Sequence, residues 1–292
     1  MELREKAYAK LNISLDVGAK RPDGYHEMNM VMQTVSLCDE ITVSLTGDGK
    51  LSTRSNLRFI PTDERNLAVK AARVFLAAAG KEGQGLMLSL RKRIPVGAGM
   101  AGGSSDAAAV LRALNRLYGG LFSCAELEKL AEQVGSDVAF CVAGGTALAT
   151  GRGEILNPLP ALPDCKIVIC KPEFSISTPE LFRKLDSAPV RHHPDTAGIL
   201  EGLEQGDLTA ICRRMYNVFE DVGDRRMRTV SQIKSRMLDF GTLGSIMTGT
   251  GSAVFGVYTD ATAAESAAKA LAKEYKFTFV SEPVGRVLRF ES

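Results

Sequence analysis

The stretch Pro95-Val-Gly-Ala-Gly-Met-Ala-Gly-Gly-Ser-Ser105 runs directly into Asp106-Ala-Ala-Ala-Val-Leu-Arg-Ala-Leu-Asn115. It reads as a glycine-rich loop that opens a helix. Gly97, Gly99, Gly102 and Gly103 let the backbone turn tightly and approach a ligand with no Cβ in the way. Ser104 and Ser105 are candidate N-caps, and the Ala- and Leu-rich run Asp106 to Asn115 is the helix they would start. A helix start offers unpaired N–H groups and about half a positive charge, which favours a phosphate.

Three named phosphate patterns can be tested on this loop. A P-loop needs a lysine where Gly103 stands. Gly97 to Gly102 satisfies G-x-G-x-x-G, but a dinucleotide site needs an acid about 20 residues on, after a strand. Here that region still reads as helix, closed by Gly119-Gly120. A protein-kinase loop needs Val where Ser104 stands and a following V-A-I-K strand, which is absent. A general phosphate loop of none of these kinds remains.

Working outward, residues 8–17 alternate. Leu11, Ile13, Leu15 and Val17 take one face of a strand, and Lys10, Asn12, Ser14 and Asp16 take the other. On pattern alone that polar face belongs to solvent. Pro22-Asp23-Gly24 is a turn, with Tyr25 and His26 just beyond it, and Met28–Leu37 and Ile41–Leu45 continue a strand meander. Pro61 to Gly80 reads as a helix with Leu67, Ala71, Phe75 and Ala78 on one face. Leu86–Leu90 is a strand leading to the glycine loop. Beyond the loop helix, Ser123 and Glu126 form a capping box. Asp137 is a lone acid ahead of an apolar run.

Three prolines in Asn157–Pro163 mark the linker, giving an N-terminal domain of residues 1–157 and a C-terminal one of residues 164–292. The second half starts with a strand at 166–170 and a helix from Thr178, followed by helices over about 195–240. A β-turn-β unit around Thr248-Gly-Thr-Gly251, a helix over 260–275 and strands at 276–281 and 286–290 complete it. The pattern is α+β rather than repeated β-α-β.

Bulk properties exclude several classes. The 292 residues are 45% hydrophobic and 24% charged, with 36 basic against 34 acidic side chains and a net charge of +2. That near-balance gives no support to binding nucleic acid or a membrane surface. No apolar run is long enough to span a bilayer, and Met1-Glu-Leu-Arg-Glu-Lys lacks the apolar core of a signal peptide. Six cysteines without a C-x-x-C pair read as reduced core residues of a cytoplasmic protein. His192-His193, with no third ligand in view, reads as exposed loop rather than as a metal site.

Taken together, three segments resemble the GHMP kinases, the superfamily of galactokinase, homoserine kinase and mevalonate kinase. They are Ala7-Tyr-Ala-Lys-Leu-Asn-Ile-Ser-Leu15, Pro95 to Ser105, and Ser245-Ile-Met-Thr-Gly-Thr-Gly-Ser-Ala-Val-Phe255. Arg21-Pro-Asp-Gly-Tyr-His-Glu27 and Gly135-Ser-Asp-Val-Ala-Phe140 are similar to the branch whose acceptor is a cytidine-diphosphate-linked methylerythritol. Ala98 and Ala101 stand where many relatives have glycine, and Ala139 where proline is usual.

The resemblance implies a two-domain α+β fold, with a ribosomal-protein-S5-domain-2-like N-terminal domain, a ferredoxin-like C-terminal one and the site between them. It implies phosphoryl transfer from ATP to the acceptor's 2-hydroxyl, in the non-mevalonate route to isoprenoid precursors. Lys10 and Asp137 would be catalytic. Pro95, Val96, Gly97, Ala98, Gly99, Met100, Ala101, Gly102, Gly103, Ser104 and Ser105 would hold ATP, with Asn66 and Leu67 at the adenine. Asn12, Tyr25, His26, Thr178, Phe182, Thr248, Gly249 and Gly251 would bind the acceptor, the cytosine stacking between Tyr25 and Phe182. Mg²⁺ is expected through the nucleotide phosphates, with no protein cage for a metal. Another small-molecule kinase of the superfamily, acting on mevalonate, homoserine or a sugar, and a non-catalytic nucleotide-binding relative stand as alternatives.

Overall fold

The structure is a computed structural model that describes the chain except residues 188, 189, 191 and 289–292. The N-terminal half opens on two long strands, β1 (Glu2–Lys20) and β2 (His26–Thr46), then β3 (Leu51–Ser55), α1 (Leu67–Ala78) and β4 (Gly85–Arg91). Next come α2 (Gly102–Leu117), α3 (Cys124–Glu132), α4 (Ser136–Ala143), β5 (Thr146–Thr150) and β6 (Ile155–Pro158). The C-terminal half begins with β7 (Lys166–Lys171), α5 (Thr178–Ser187), α6 (Thr196–Gln205), α7 (Leu208–Arg213), β8 (Tyr216–Asn217) and α8 (Met227–Asp239). It ends with β9 (Gly244–Met247), β10 (Val254–Tyr258), α9 (Ala261–Leu271) and β11 (Phe277–Ser281).

One sheet runs β3-β4-β2-β1-β8, with β5 and β6 attached beside β2. The other runs β11-β7-β10-β9, which is order 4-1-3-2 counted along the chain and gives the ferredoxin-like half. The α1–α2 pair covers one face of the first sheet. Its other face carries Ala9, Leu11 and Ile13, which share a core with Ile167, Ile169, Phe255 and Val257 of the second sheet. The two halves are therefore joined through apolar surface as well as at their loops.

This burial changes the reading of β1. Its register against β2 shifts between Tyr8 and Lys10 and again between Asn12 and Ser14. An extra residue at such a shift turns the following side chains over. Leu11 and Ile13 accordingly belong to the inter-sheet core, while Leu15 and Val17 belong to the core under α2. The four do not share one face. Nor does most of the polar set face water: Lys10, Asn12 and Ser14 are buried, and Asp16 is half-buried.

Helix starts also differ from expectation. α1 begins at Leu67 rather than Pro61, because Asn66 Oδ1 accepts from Ala68 N at 3.0 Å and caps it there. Ala78 is exposed rather than on the buried face. α2 begins at Gly102, so Ser104 and Ser105 lie in its first turn and cap nothing; the cap position is Ala101, whose side chain makes no capping bond. The capping box of Ser123 and Glu126 is present. Arg286 makes only an isolated bridge to Gly144 in place of the expected strand at 286–290, and residues 289 and 290 lie outside the described residues. The six cysteines are free, five of them buried, and burial pushes the Cys141, Cys165 and Cys212 thiols up to about 12. Thiols so raised are inert at neutral pH.

Candidate active site

The two glycine loops meet back to back. Gly99 has φ +75° and Gly249 φ +56°, and a Cβ on Gly99 would sit 2.1 Å from Thr248 O. A Cβ on Gly249 would lie 2.8 Å from Gly99 O. Neither position admits a side chain, so the loop pair requires both glycines. Ala253 N donates to Ala98 O at 3.3 Å and tightens the contact. The loop ahead of α2 thus rests on the hairpin of the other domain, with the helix N-terminus open beside it.

Lys10, Asn12 and Asp137 converge on this junction. Lys10 Nζ donates to Asn12 Oδ1 at 2.7 Å and lies 3.7 Å from Asp137 Oδ2. Asp137 is in the first turn of α4 and keeps a third of its side chain exposed. Asn12 N donates to Thr248 Oγ1 at 3.0 Å. Lys10 N donates to Met100 O at 3.3 Å, so β1 also holds the first glycine loop. The result is an ammonium and a reachable carboxylate beside the first glycine loop.

Two cavities flank that loop. The larger, about 860 Å³, is lined by Lys10, Asp137, Ser104, Tyr25, His26 and Phe182, and also by Leu67, Thr178, Gly97, Gly99, Ala101, Gly249 and Gly251. The smaller, about 320 Å³, is lined by Asn66, Leu67 and the whole run Pro95 to Ser104. Leu67, Gly97, Gly99, Ala101 and Ser104 border both, so the loop is the wall between them. Three expected site residues line neither. Asn12 and Thr248 are fully buried beneath the larger cavity and support its wall. Ser105 spends its hydroxyl on Tyr8 O, at 2.7 Å, and is committed to the core.

Inside the larger cavity the aromatic set is already arranged. His26 stacks on Phe182 with ring centroids 5.0 Å apart, and Phe182 meets Phe219 edge-on at 5.0 Å. Tyr25 stands 56% exposed at the rim. The Arg152 guanidinium lies 5.3 Å from the centre of its ring. His26 Nε2 pairs with Asp186 Oδ1 at 2.6 Å, and Lys20 Nζ donates to Asp186 Oδ2 at 2.9 Å. Lys20, and after it His26, hold the Asp186 carboxyl below the usual carboxylate range.

Comparison with known proteins gives the family. Residues 66–145 match the GHMP kinases N terminal domain, and residues 199–276 match the GHMP kinases C terminal family. A 4-diphosphocytidyl-2-C-methyl-D-erythritol kinase of Geobacillus thermodenitrificans is 48% identical over 258 residues, 88% of each chain. This chain belongs to the 4-diphosphocytidyl-2-C-methyl-D-erythritol kinase family. The enzyme of that name from Alkaliphilus metalliredigens is 39% identical over 98% of each chain. A crystal structure of a 4-(cytidine 5'-diphospho)-2C-methyl-D-erythritol kinase superposes with a TM-score of 0.81 at 34% identity, over 97% of this chain and 100% of that one. Homoserine kinase from Cytophaga hutchinsonii superposes at 0.76 with 22% identity, over 98% of this chain and 95% of that one, a likeness of fold alone. The family is one of ATP-dependent small-molecule kinases with the two-domain GHMP fold.

Sequence reasoning missed several residues of this candidate site. Asp186 lies 160 residues from His26, and Arg152 and Lys20 are separated from their partners in the same way. Asn217 donates from Nδ2 to Met247 O and Gly249 O, each at 2.8 Å, and so fixes the second glycine loop. A two-residue strand such as β8 leaves no periodicity to read. The Lys92 side chain beneath the loop carried no signal beyond its place in Arg91-Lys-Arg93.

Proposed function

We propose that the chain transfers the γ-phosphoryl group of ATP to the 2-hydroxyl of 4-diphosphocytidyl-2-C-methyl-D-erythritol. The observation that carries this reading is the 3.7 Å approach of Lys10 Nζ to Asp137 Oδ2 in a cavity that also holds Tyr25, His26 and Phe182. Phosphoryl transfer asks for positioning and charge stabilisation more than for covalent chemistry. The triphosphate would lie on the amides of loop 95–104 and the start of α2, with adenine in the smaller cavity beside Asn66 and Leu67. The acceptor would fill the larger one, its cytosine between Tyr25 and Phe182 and its polar edge on His26. Thr178, Gly249 and Gly251 line its remaining wall.

In this reading Asp137 accepts the hydroxyl proton, and Lys10 orients both Asp137 and the hydroxyl. An alcohol is a very weak acid, so the proton moves late, close to the transition state. Asn12 holds Lys10 in place. Among the described residues no group of three His, Cys, Asp or Glu side chains is placed to hold a metal. A Mg²⁺ ion would come with the nucleotide, where Ser104 borders both cavities; it would neutralise phosphate charge. The division into 1–157 and 164–292 belongs to the same proposal, as does a cytoplasmic location; among the described residues no helix is long and apolar enough to cross a membrane.

The test is ADP release with a panel of alcohols. Turnover with the diphosphocytidyl acceptor, and none with mevalonate, homoserine or galactose, is expected. Equal turnover with the uridine analogue would contradict base reading at His26.

A further inference from the structure

Asp39, Lys92 and Asp106 are buried ionisable residues that the proposed reaction does not use. Asp39 lies in the middle of β2, Lys92 follows β4, and Asp106 is in the second turn of α2. Each is more than nine-tenths buried. The Lys92 ammonium donates to Asp39 Oδ2, to Asp106 Oδ2 at 2.5 Å and to Gly102 O, the first residue of α2, at 3.2 Å. Asp39 Oδ1 accepts from the backbone N–H groups of Arg93 and Ile94. Among the described residues Asp106 Oδ1 has no hydrogen-bond partner.

One cation faces two carboxyl groups, so the proton count matters. Asp39 has donors on both oxygens, the environment of an ionised carboxylate. Asp106 has a donor on one oxygen and nothing on the other, and a bare buried carboxylate oxygen is costly. Burial pushes the Asp106 carboxyl up to about 8 despite the adjacent Lys92, and the Asp39 charge adds to the rise. Burial works against the Lys92 charge, but Asp106 and Asp39 outweigh it and leave its pKa raised. On the other elements against α2, several charged and titratable groups are paired elsewhere. Glu5 of β1 pairs with Arg112 and Arg116, Lys70 of α1 donates to Val134 O, and Arg73 of α1 pairs with Glu64. Glu126 of α3 accepts from Ser123, Cys141 of α4 lies against Ser105, and Asp137 faces Lys10.

We propose that Asp39, Lys92 and Asp106 are a positioning brace for the nucleotide half of the site, composed of one anion, one cation and one protonated acid, that fixes Gly102 and with it the phosphate loop. Lys92 and Asp106 line the smaller cavity, so the brace forms part of its floor. The proposal rests on the reading of loop 95–104 as the ATP site. Loss of the Asp106 proton puts a second anion under a helix start that must receive a triphosphate. ATP affinity then falls in alkali while the acceptor half is untouched.

The experiment is calorimetric titration of the full chain with ATP, and separately with cytidine diphosphate, at about pH 7.5 and about pH 9. A proton lost at about pH 8 raises the wild-type ATP Kd about eightfold between those conditions, the competent fraction falling by that factor. The cytidine diphosphate Kd is expected to stay flat. Asp106→Asn, a neutral isostere, is expected to show an ATP Kd independent of pH over the same range. A flat wild-type ATP Kd, the same rise in Asp106→Asn, or a parallel loss of both ligands overturns the brace. Should Asp106→Asn fail to fold, the wild-type difference between the two ligands decides. Wild-type protein that binds no ATP at either pH overturns the nucleotide reading, and the brace with it.

Discussion

The backbone N–H of Gly249 donates to Asn12 Oδ1 at 3.1 Å, across 237 residues of chain. The same oxygen accepts from Lys10 Nζ at 2.7 Å. One amide thus holds both the ammonium of the first strand and the glycine loop of the other domain. Truncation by Asn12→Ala leaves a buried ammonium and a buried N–H without their acceptor. The expected loss is about 1–3 kcal/mol of stability, read from urea denaturation, with a fall in kcat at saturating ATP and acceptor. Wild-type values of both would show that the junction is incidental.

Ala101 is strained. It has φ +56° at the start of α2, the left-handed region that costs a residue with a Cβ about 1–2 kcal/mol. Ala101→Gly relieves that strain and returns part of the gain as unfolded-chain entropy. A net stabilisation of about 0.5–1 kcal/mol is expected, measured as a shift in the denaturation midpoint. A destabilised variant would mean that the Cβ makes packing contacts worth more than the strain.

Asp186 orients His26. Its carboxyl lies low, chiefly because Lys20 donates to it and next because His26 does. A depressed carboxylate contributes above its unfolded-state pKa and loses that contribution as pH falls through the folded-state value. The clamp is therefore intact at neutral pH and lost only in acid, below the ordinary carboxylate range. Asp186→Ala should raise KM for the cytidine-bearing acceptor several-fold and leave KM for ATP alone. An equal rise in both, seen in steady-state kinetics, would assign Asp186 to general stability.

How far the sequence carried the fold depends on how local each signal was. The loop at 95–105, the box of Ser123 and Glu126, and the strand of Lys10 are contiguous patterns, and their element types were legible. The register shift between Asn12 and Ser14 was not, because alternating residues look the same on either side of a bulge. The α2 start was misplaced for a different reason. Serines after glycines resemble caps, yet here the glycines themselves form the first turn. At the site, Lys10, Asp137 and the two glycine loops were named from segments of chain, and the structure brings them together. Asp186, Arg152, Asn217 and the Asp39–Lys92–Asp106 group act through contacts between distant segments, which no stretch of sequence displays.

In the proposed reaction Asp137 and Lys10 act on the acceptor hydroxyl beside an ATP loop that binds independently of them. The most direct measurement is the initial rate of ADP release by Asp137→Asn with saturating ATP and diphosphocytidyl acceptor, paired with ATP affinity by titration. Turnover is expected to fall by about 10²–10⁴-fold, with ATP affinity within about twofold of wild type. Turnover at the wild-type rate would contradict it.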